Sequence, residues 1–365
     1  MEPNPLDRPM MQRCLALAQQ AAGRTHPNPL VGSVVVAEGV VVGEGFHPQA
    51  GQPHAEVFAL RDAGDRAQGA TVYVNLEPCN HHGRTPPCTE ALIAAGVGRV
   101  VVGMVDPDPR VAGSGIARLR AAGIPVTVGV EEAACQTLNE AFVYRVTQGK
   151  PWGILKYAMT LDGKIATSTG HSAWVTAPEA RQAVHHLRST CSAVIVGGNT
   201  VRRDNPRLTT HGLTDHNPLR VVLSRGLDLP WEAHLWDTAL APTVVFTEPG
   251  GNRDLQAHLQ GLGVEVVVLP QVSPGAVLGP LYDRGHLGLL WECGGTLAAA
   301  ALAEGAIQKV WAFVAPKIIG GVAAPGPVGE LGYTRMDQAL RLDRVSWRSI
   351  GVDLLLEGYL TPPQP

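Results

Sequence analysis

The sequence predicts an α/β protein of two domains, and three observations predict it. The chain has 365 residues, about twice the size of a common domain. Its first half alternates short apolar runs with amphipathic stretches, the pattern of a sheet covered by helices. That alternation breaks at Thr147-Gln148-Gly149-Lys150-Pro151 and then restarts with a strand-like run. A glycine and a proline after a long helical stretch mark a linker. The expected boundaries are 1–148 and 149–365.

In the first half, helix is expected over Met10–Ala22, with Pro9 in the first turn. Val31–Ala37 and Val40–Phe46 read as a hairpin around Glu38-Gly39. His54–Ala63 reads as helix, Thr71–Leu76 as strand, Cys88–Ala95 as helix and Val100–Val105 as strand. Gly115–Ala122 is helical, Val126–Val130 a strand, and Glu131–Val146 one long helix. In the second half strands are expected at Trp152–Tyr157, Ala193–Val196, Arg220–Leu223, Thr243–Phe246, Val264–Leu269 and Leu287–Trp291. Lys309–Ala315 and Val352–Tyr359 are further strands, and Pro178–Ser189 and Thr296–Ala303 are helices.

Composition narrows the function classes. A net charge of −3 gives no long-range attraction to nucleic acid or an anionic membrane. No apolar run reaches the ~18–20 residues of a membrane span. Met1 to Arg13 lacks the apolar core of a secretory signal, so the expected location is the cytoplasm. Of the six cysteines, Cys14, Cys135, Cys191 and Cys293 sit in apolar surroundings and read as core. A disulfide framework is not expected.

Cys79 and Cys88 differ. Pro53-His54-Ala55-Glu56 opens a helix, Glu77-Pro78-Cys79 ends a strand, and Cys88 opens the next helix. One His and two Cys make three protein ligands and leave a tetrahedral zinc site one open position for water. Helix N-termini also favour thiolate over thiol. Zinc can bring the pKa of water to about 7, and a carboxylate two residues from the His ligand can move protons from water to the leaving amine. Thus His54, Cys79 and Cys88 are candidate Zn2+ ligands and Glu56 the candidate catalytic residue. His-x-Glu followed by Pro-Cys-x-x-Cys is the zinc-deaminase pattern. Here eight residues lie between the cysteines, where that pattern has two. His81 or His82, in the intervening loop, could be an alternative ligand, a substrate contact or a solvated residue.

The inserted loop, Pro78-Cys79-Asn80-His81-His82-Gly83-Arg84-Thr85-Pro86-Pro87-Cys88, resembles that of the bifunctional riboflavin-biosynthesis deaminase-reductase family. Pro27-Asn28-Pro29-Leu30-Val31-Gly32, Gly43-Glu44-Gly45-Phe46-His47 and Gly51-Gln52-Pro53-His54-Ala55-Glu56 resemble further elements of it. So does Asp106–Gly115, where the family more often has Asn at the place of Asp108. Lys156–Lys164, Asp204–Thr209 and Trp291–Leu297 carry the resemblance through the second half. The family usually has Arg at the place of His211.

The resemblance implies a cytidine-deaminase-like three-layer domain followed by a dihydrofolate-reductase-like domain. It implies deamination of 2,5-diamino-6-(5-phosphoribosylamino)pyrimidin-4-one. Reduction of the ribosyl side chain of 5-amino-6-(5-phosphoribosylamino)uracil to ribityl would follow, with NADPH. Asn28, His47 and Arg84 would contact the deaminase substrate. Ala158, Trp174, Thr200, Asp204, Ser224, Gly294, Gly295, Thr296 and Leu297 would line the NADPH site. Lys156, Ser172, Arg188, Leu208 and Glu292 would touch the reductase substrate. The partner is a small phosphorylated pyrimidine, with no nucleic acid and no membrane; a homo-oligomer stays open. The rival reading is a nucleoside or nucleic-acid base deaminase with an accessory domain.

Unaided by the family, the second half says less. Gly197-Gly198 and Gly294-Gly295 are either anion-cradling turns or plain strand-to-helix turns. Gly113-x-Gly115 fails as a dinucleotide fingerprint because Arg118 stands where a third glycine belongs. Arg202, Arg203 and Arg207 read as a loop cluster, either solvated with salt bridges to Asp204 or phosphate-binding. Trp174 is either core or a stacking surface.

Overall fold

A computed structural model describes residues 4–81, 86–109 and 111–361. The chain divides into two compact units, Met1–Gly149 and Lys150–Pro365.

The first unit runs α1 (Asp7–Gln19), β1 (Gly32–Ala37), β2 (Val40–Phe46), α2 (Ala55–Ala63), β3 (Thr71–Leu76), α3 (Cys88–Ala94), β4 (Arg99–Met104), α4 (Ser114–Ala121), β5 (Val126–Val128), α5 (Glu132–Leu138) and α6 (Glu140–Gln148). The sheet order is β2-β1-β3-β4-β5. β1 pairs antiparallel with both β2 and β3, and β3, β4 and β5 are parallel. Alternate residues serve opposite faces. Val72, Val74, Val100 and Val102 pack with Ala59, Ala63, Leu92 and Leu119 of α2, α3 and α4. Tyr73 and Val101 pack with Met11, Cys14 and Cys135 of α1 and α5. The result is three layers, helix on sheet on helix.

Two elements depart from the sequence expectation, and side chains explain both. α1 starts at Asp7 because that carboxylate is buried against Arg99 at 2.8 Å and accepts from the Tyr73 hydroxyl at 3.1 Å. The expected single helix over Glu131–Val146 is two helices, α5 and α6, broken at Asn139. The Asn139 amide accepts from the Leu30 N–H at 2.8 Å and donates to the Leu30 carbonyl at 3.0 Å. Asn75 donates to the same carbonyl at 2.9 Å. Local propensity favoured one helix; a pair of tertiary hydrogen bonds won.

The second unit runs β6 (Trp152–Thr160), α7 (Pro178–Thr190), β7 (Ala193–Gly197), α8 (Gly198–Asp204), β8 (Leu219–Leu223), β9 (Thr243–Thr247), α9 (Arg253–Gly261), β10 (Glu265–Val268), α10 (Pro274–Asp283), β11 (Gly288–Trp291), α11 (Gly295–Ala303), β12 (Lys309–Ala315), β13 (Leu342–Ile350) and β14 (Asp353–Leu360). The sheet order is β10-β9-β8-β7-β11-β6-β12-β14-β13. Every neighbouring pair from β10 to β12 is parallel, and β14 pairs antiparallel with both β12 and β13. Leu155, Ile195, Val221, Phe246, Leu289 and Trp291 anchor the main core. α8, α9, α10 and β13 go beyond the sequence expectation. α8 places Arg202 and Arg203 on a helix rather than in a loop. Arg202 pairs with Asp228 at 3.3 Å, not with Asp204. Among the described residues no helix is long and apolar enough to cross a membrane.

Candidate active sites

In the first unit, α2 and α3 pack side by side on one face of the sheet and present their N-termini where β3 ends. His54 is the N-cap of α2 and Cys88 the first residue of α3. Cys79 lies in the loop after β3. His54 Nδ1 lies 3.2 Å from Cys88 Sγ and 3.5 Å from Cys79 Sγ. The Cys88 N–H donates to Cys79 Sγ at 3.3 Å.

Zinc bonds of about 2.0–2.1 Å to nitrogen and about 2.3 Å to sulfur give a tetrahedral edge of roughly 3.5 Å. The nitrogen–sulfur separations match that edge, so the three side chains fit the ion. Among the described residues they form the one His/Cys/Asp/Glu group with metal-holding geometry. His81 is exposed and stands outside it. His82 and Arg84 lie outside the described residues.

Electrostatics favours thiolate at Cys79 and opposes it at Cys88. The Cys88 thiol beside it, then His54 and the Cys88 N–H, draw the Cys79 thiol down. Cys79 in turn raises His54 and, with burial, pushes Cys88 up. A cation among the three would relieve this competition for protons.

Glu56, in the first turn of α2, is 3% exposed. Burial first, then the charge of Cys79, pushes its carboxyl up to about 7. Its Oε2 is buried with no hydrogen-bond partner among the described residues. An orphaned buried oxygen is costly in a finished core, and it is what a proton carrier awaiting water and substrate requires.

Beside the trio, His47 Nδ1 meets the Pro53 carbonyl at 3.0 Å and His47 Nε2 meets Asn28 Nδ2 at 3.0 Å. A carbonyl only accepts, so Nδ1 carries the hydrogen and Nε2 accepts from the amide. This assignment leaves the Asn28 side-chain oxygen as an acceptor elsewhere. Burial lowers His47, which keeps the ring neutral. The sequence reading missed Asn75 and Asn139, which pin Leu30, two residues from Asn28. A lone Asn in the apolar run Thr71–Leu76 was the available signal for Asn75.

In the second unit, Lys156 on β6, Arg188 on α7 and Glu292 just after β11 converge. Arg188 donates to both Glu292 oxygens, at 2.5 and 3.1 Å, and to the Thr209 carbonyl at 3.0 Å. Lys156 Nζ lies 3.5 Å from Glu292. Burial alone would raise Glu292, but Arg188 and Lys156 hold it down at about 2. Burial lowers Lys156 against the pull of Glu292. His211 stacks on His185 with ring centres 4.1 Å apart. Burial, His211 and Arg188 lower His185 to about 4, and burial followed by Arg188 lowers His211.

Gly294 is the N-cap of α11, and a Cβ there would meet nothing within 4 Å. A Cβ on Gly295 would stand 2.9 Å from the Gly326 carbonyl oxygen. So Gly295 is small to admit its own chain, while Gly294 leaves an open approach to a helix N-terminus, which suits a cofactor phosphate. Thr296, next on α11, is exposed. A Cβ on Gly197 would lie 3.3 Å from Leu297, and one on Gly198 would lie 3.3 Å from Ser224 Oγ. These contacts gather Leu297 and Ser224 beside the start of α8, which also carries Thr200 and Asp204. Ala158 lies on β6 paired with Phe313. Trp174 is 69% exposed under the Arg181 guanidinium, so it is not core. Ser172 is exposed. Leu208 is 3% exposed at φ 54, so its side chain packs inward.

Two family models match. Residues 5–104 match the cytidine and deoxycytidylate deaminase zinc-binding region, and residues 151–356 match the RibD C-terminal domain. The riboflavin biosynthesis protein RibD of Synechocystis sp. is 65% identical over 354 residues, 97% of this chain and 96% of that one. The Acinetobacter baumannii RibD structure superposes with a TM-score of 0.87 at 39% identity, covering 98% of this chain and 99% of that one. A diaminohydroxyphosphoribosylaminopyrimidine deaminase/5-amino-6-(5-phosphoribosylamino)uracil reductase from Thermotoga maritima gives 0.86 at 36% identity, covering 98% and 99%. Matches of this extent and identity leave one conclusion: the chain belongs to the RibD family, bifunctional enzymes of riboflavin biosynthesis that join a zinc-dependent deaminase to an NADPH-dependent reductase.

Proposed function

We propose that the first unit hydrolyses the 2-amino group of 2,5-diamino-6-(5-phosphoribosylamino)pyrimidin-4-one. The second unit then reduces the ribosyl group of 5-amino-6-(5-phosphoribosylamino)uracil to ribityl. The observation that carries this reading is the His54/Cys79/Cys88 trio with the orphaned Glu56 oxygen.

His54, Cys79 and Cys88 hold zinc, which when bound supplies the Lewis acidity that makes water a nucleophile near neutral pH. Glu56 takes a proton from the attacking water. It passes that proton to the neighbouring ring nitrogen, then takes the second proton from the added hydroxyl and gives it to the departing amine, so that ammonia leaves and the oxygen stays on the ring carbon. Burial raises the Glu56 carboxyl, which suits a group that must both accept and donate a proton. Asn28 orients the pyrimidine through its free amide oxygen, and His47 holds that amide. Arg84 is assigned to the substrate on the family resemblance.

In the second unit NADPH, when bound, supplies the hydride that reaches the sugar's C1. Gly294, Gly295, Thr296 and Leu297, with Ala158, Trp174, Thr200, Asp204 and Ser224, hold the dinucleotide. Lys156, Ser172, Arg188 and Glu292 orient the substrate, with Lys156 towards its phosphate, and Leu208, whose side chain is buried, meets it through backbone. The work of these residues is placement. All six cysteines are free, which fits a reducing cytoplasm.

The test is direct. The pure protein is incubated with the diaminopyrimidine ribotide and NADPH, and ammonia and NADPH absorbance are followed together. Both should change, ammonia first. Ammonia release without NADPH oxidation would remove the assignment of the second unit.

A further inference from the structure

Glu77 follows β3 and stands two residues before Cys79. It is 4% exposed. Both of its carboxylate oxygens are occupied by backbone donors of one neighbouring segment. Oε2 accepts from the N–H groups of Asp106 at 3.2 Å and Gly113 at 2.9 Å. Oε1 accepts from Gly115 at 2.9 Å and Ile116 at 3.2 Å. The Glu77 N–H itself donates to the Met104 carbonyl at 3.0 Å. One buried anion therefore ties the end of β3 to the loop after β4 and to the first turn of α4. Charge-assisted bonds to orphan N–H groups at a helix start offset its burial.

The contact behind this clamp is tight. A Cβ on Gly115 would stand 2.0 Å from the Pro78 carbonyl oxygen. The first turn of α4 thus presses on the residue that precedes Cys79. On its other side, Cys79 is held by α3: the Thr89 N–H donates to the Cys79 carbonyl at 3.2 Å.

We infer that Glu77 is a positioning residue of the deamination site: it fixes Pro78-Cys79 against α4 and so sets where the Cys79 sulfur stands relative to His54 and Cys88. The inference rests on reading those three side chains as the zinc site.

The experiment uses the full-length protein and three variants. Glu77→Gln turns an NH2 towards two of the four N–H donors. Gly115→Ala pushes on Pro78 by a separate route. Arg99→Met is the control, since it removes the Arg99–Asp7 bridge of the same unit at 2.8 Å, away from the site. Zinc affinity is read by chelator competition, and ligand geometry by the visible spectrum of the Co2+-loaded protein.

Glu77→Gln and Gly115→Ala should each weaken zinc binding by about 10–100-fold, the range for losing an outer-shell support, and should shift the cobalt bands. Arg99→Met should lower the melting temperature and leave both readouts as in the native chain. Native-like zinc affinity and cobalt spectra in Glu77→Gln and Gly115→Ala overturn the inference. So does failure of both to fold while Arg99→Met folds, because Glu77 would then be a folding residue. A native chain that takes up no zinc overturns the metal reading itself, and this inference with it.

Discussion

Glu56 and Glu292 are both buried carboxylates at the ends of secondary structure, and the protein treats them in opposite ways. Glu56 has a buried oxygen with no partner among the described residues, and its carboxyl is pushed up to about 7. Glu292 is gripped by Arg188 and approached by Lys156, and is held down at about 2. The first site leaves a buried oxygen open to a partner among the described residues. The second is nearly complete by itself. A group that must carry protons needs an ordinary form that is neither firmly charged nor firmly neutral. A group that must orient a substrate is better locked in one charge state.

Removing zinc is the bluntest way to break this comparison. Stripping the metal with a chelator should abolish ammonia release while NADPH oxidation with the uracil ribotide continues. If both activities stop together, the two centres are not separable as described. Glu56→Gln should keep zinc and lower deamination by about 10²–10⁴-fold, the usual share of general acid–base catalysis. Full deamination by that variant removes Glu56 from the proton path.

Glu292→Gln probes the locked site. It leaves the largely buried Arg188 and Lys156 without their anion, which costs up to about 3–5 kcal/mol. Chemical denaturation should show that loss in the C-terminal unit, with reduction impaired and zinc content unchanged. A loss below about 1 kcal/mol would mean that solvent already reaches the pair, as at a surface bridge.

The smallest expected effect concerns His185. Its imidazole is lowered from 6.5 to about 4 in the folded chain. Between those values the unfolded chain binds a proton that the folded chain does not. Stability therefore falls as pH drops from about 6.5 towards 4. Denaturation midpoints across that window should fall less steeply in His185→Gln than in the native protein. Equal slopes would show that the stacked pair with His211 exchanges protons freely with solvent.

Much of the first site was legible because its residues sit at positions a sequence marks. His54 and Cys88 open helices, and Cys79 follows a strand, so three-ligand chemistry could be read from types and punctuation. Glu77 was visible only as a strand end. Its four partners lie between Asp106 and Ile116, and no local pattern announces a bond across such a gap. Asn139 failed in the same way: helix propensity ran straight through it, while its amide was committed to Leu30. In the second unit, family resemblance carried the site residues. The chain's own chemistry left the Gly-Gly turns and the arginines ambiguous.

By itself the sequence determined that the first unit is a sheet covered by helices, the reaction type of the His-x-Glu and cysteine set, and most strands, because period and punctuation are local properties; the three-layer form came from the family resemblance. Tertiary structure alone decided which oxygen of Glu56 stays unpartnered, that Glu292 is neutralised from two elements, that Arg202 faces Asp228, and that Glu77 clamps α4 beneath Cys79. Those outcomes depend on distance through space. A side chain's charge state and partners are set by whatever the fold brings within a few ångströms, not by its neighbours in the chain.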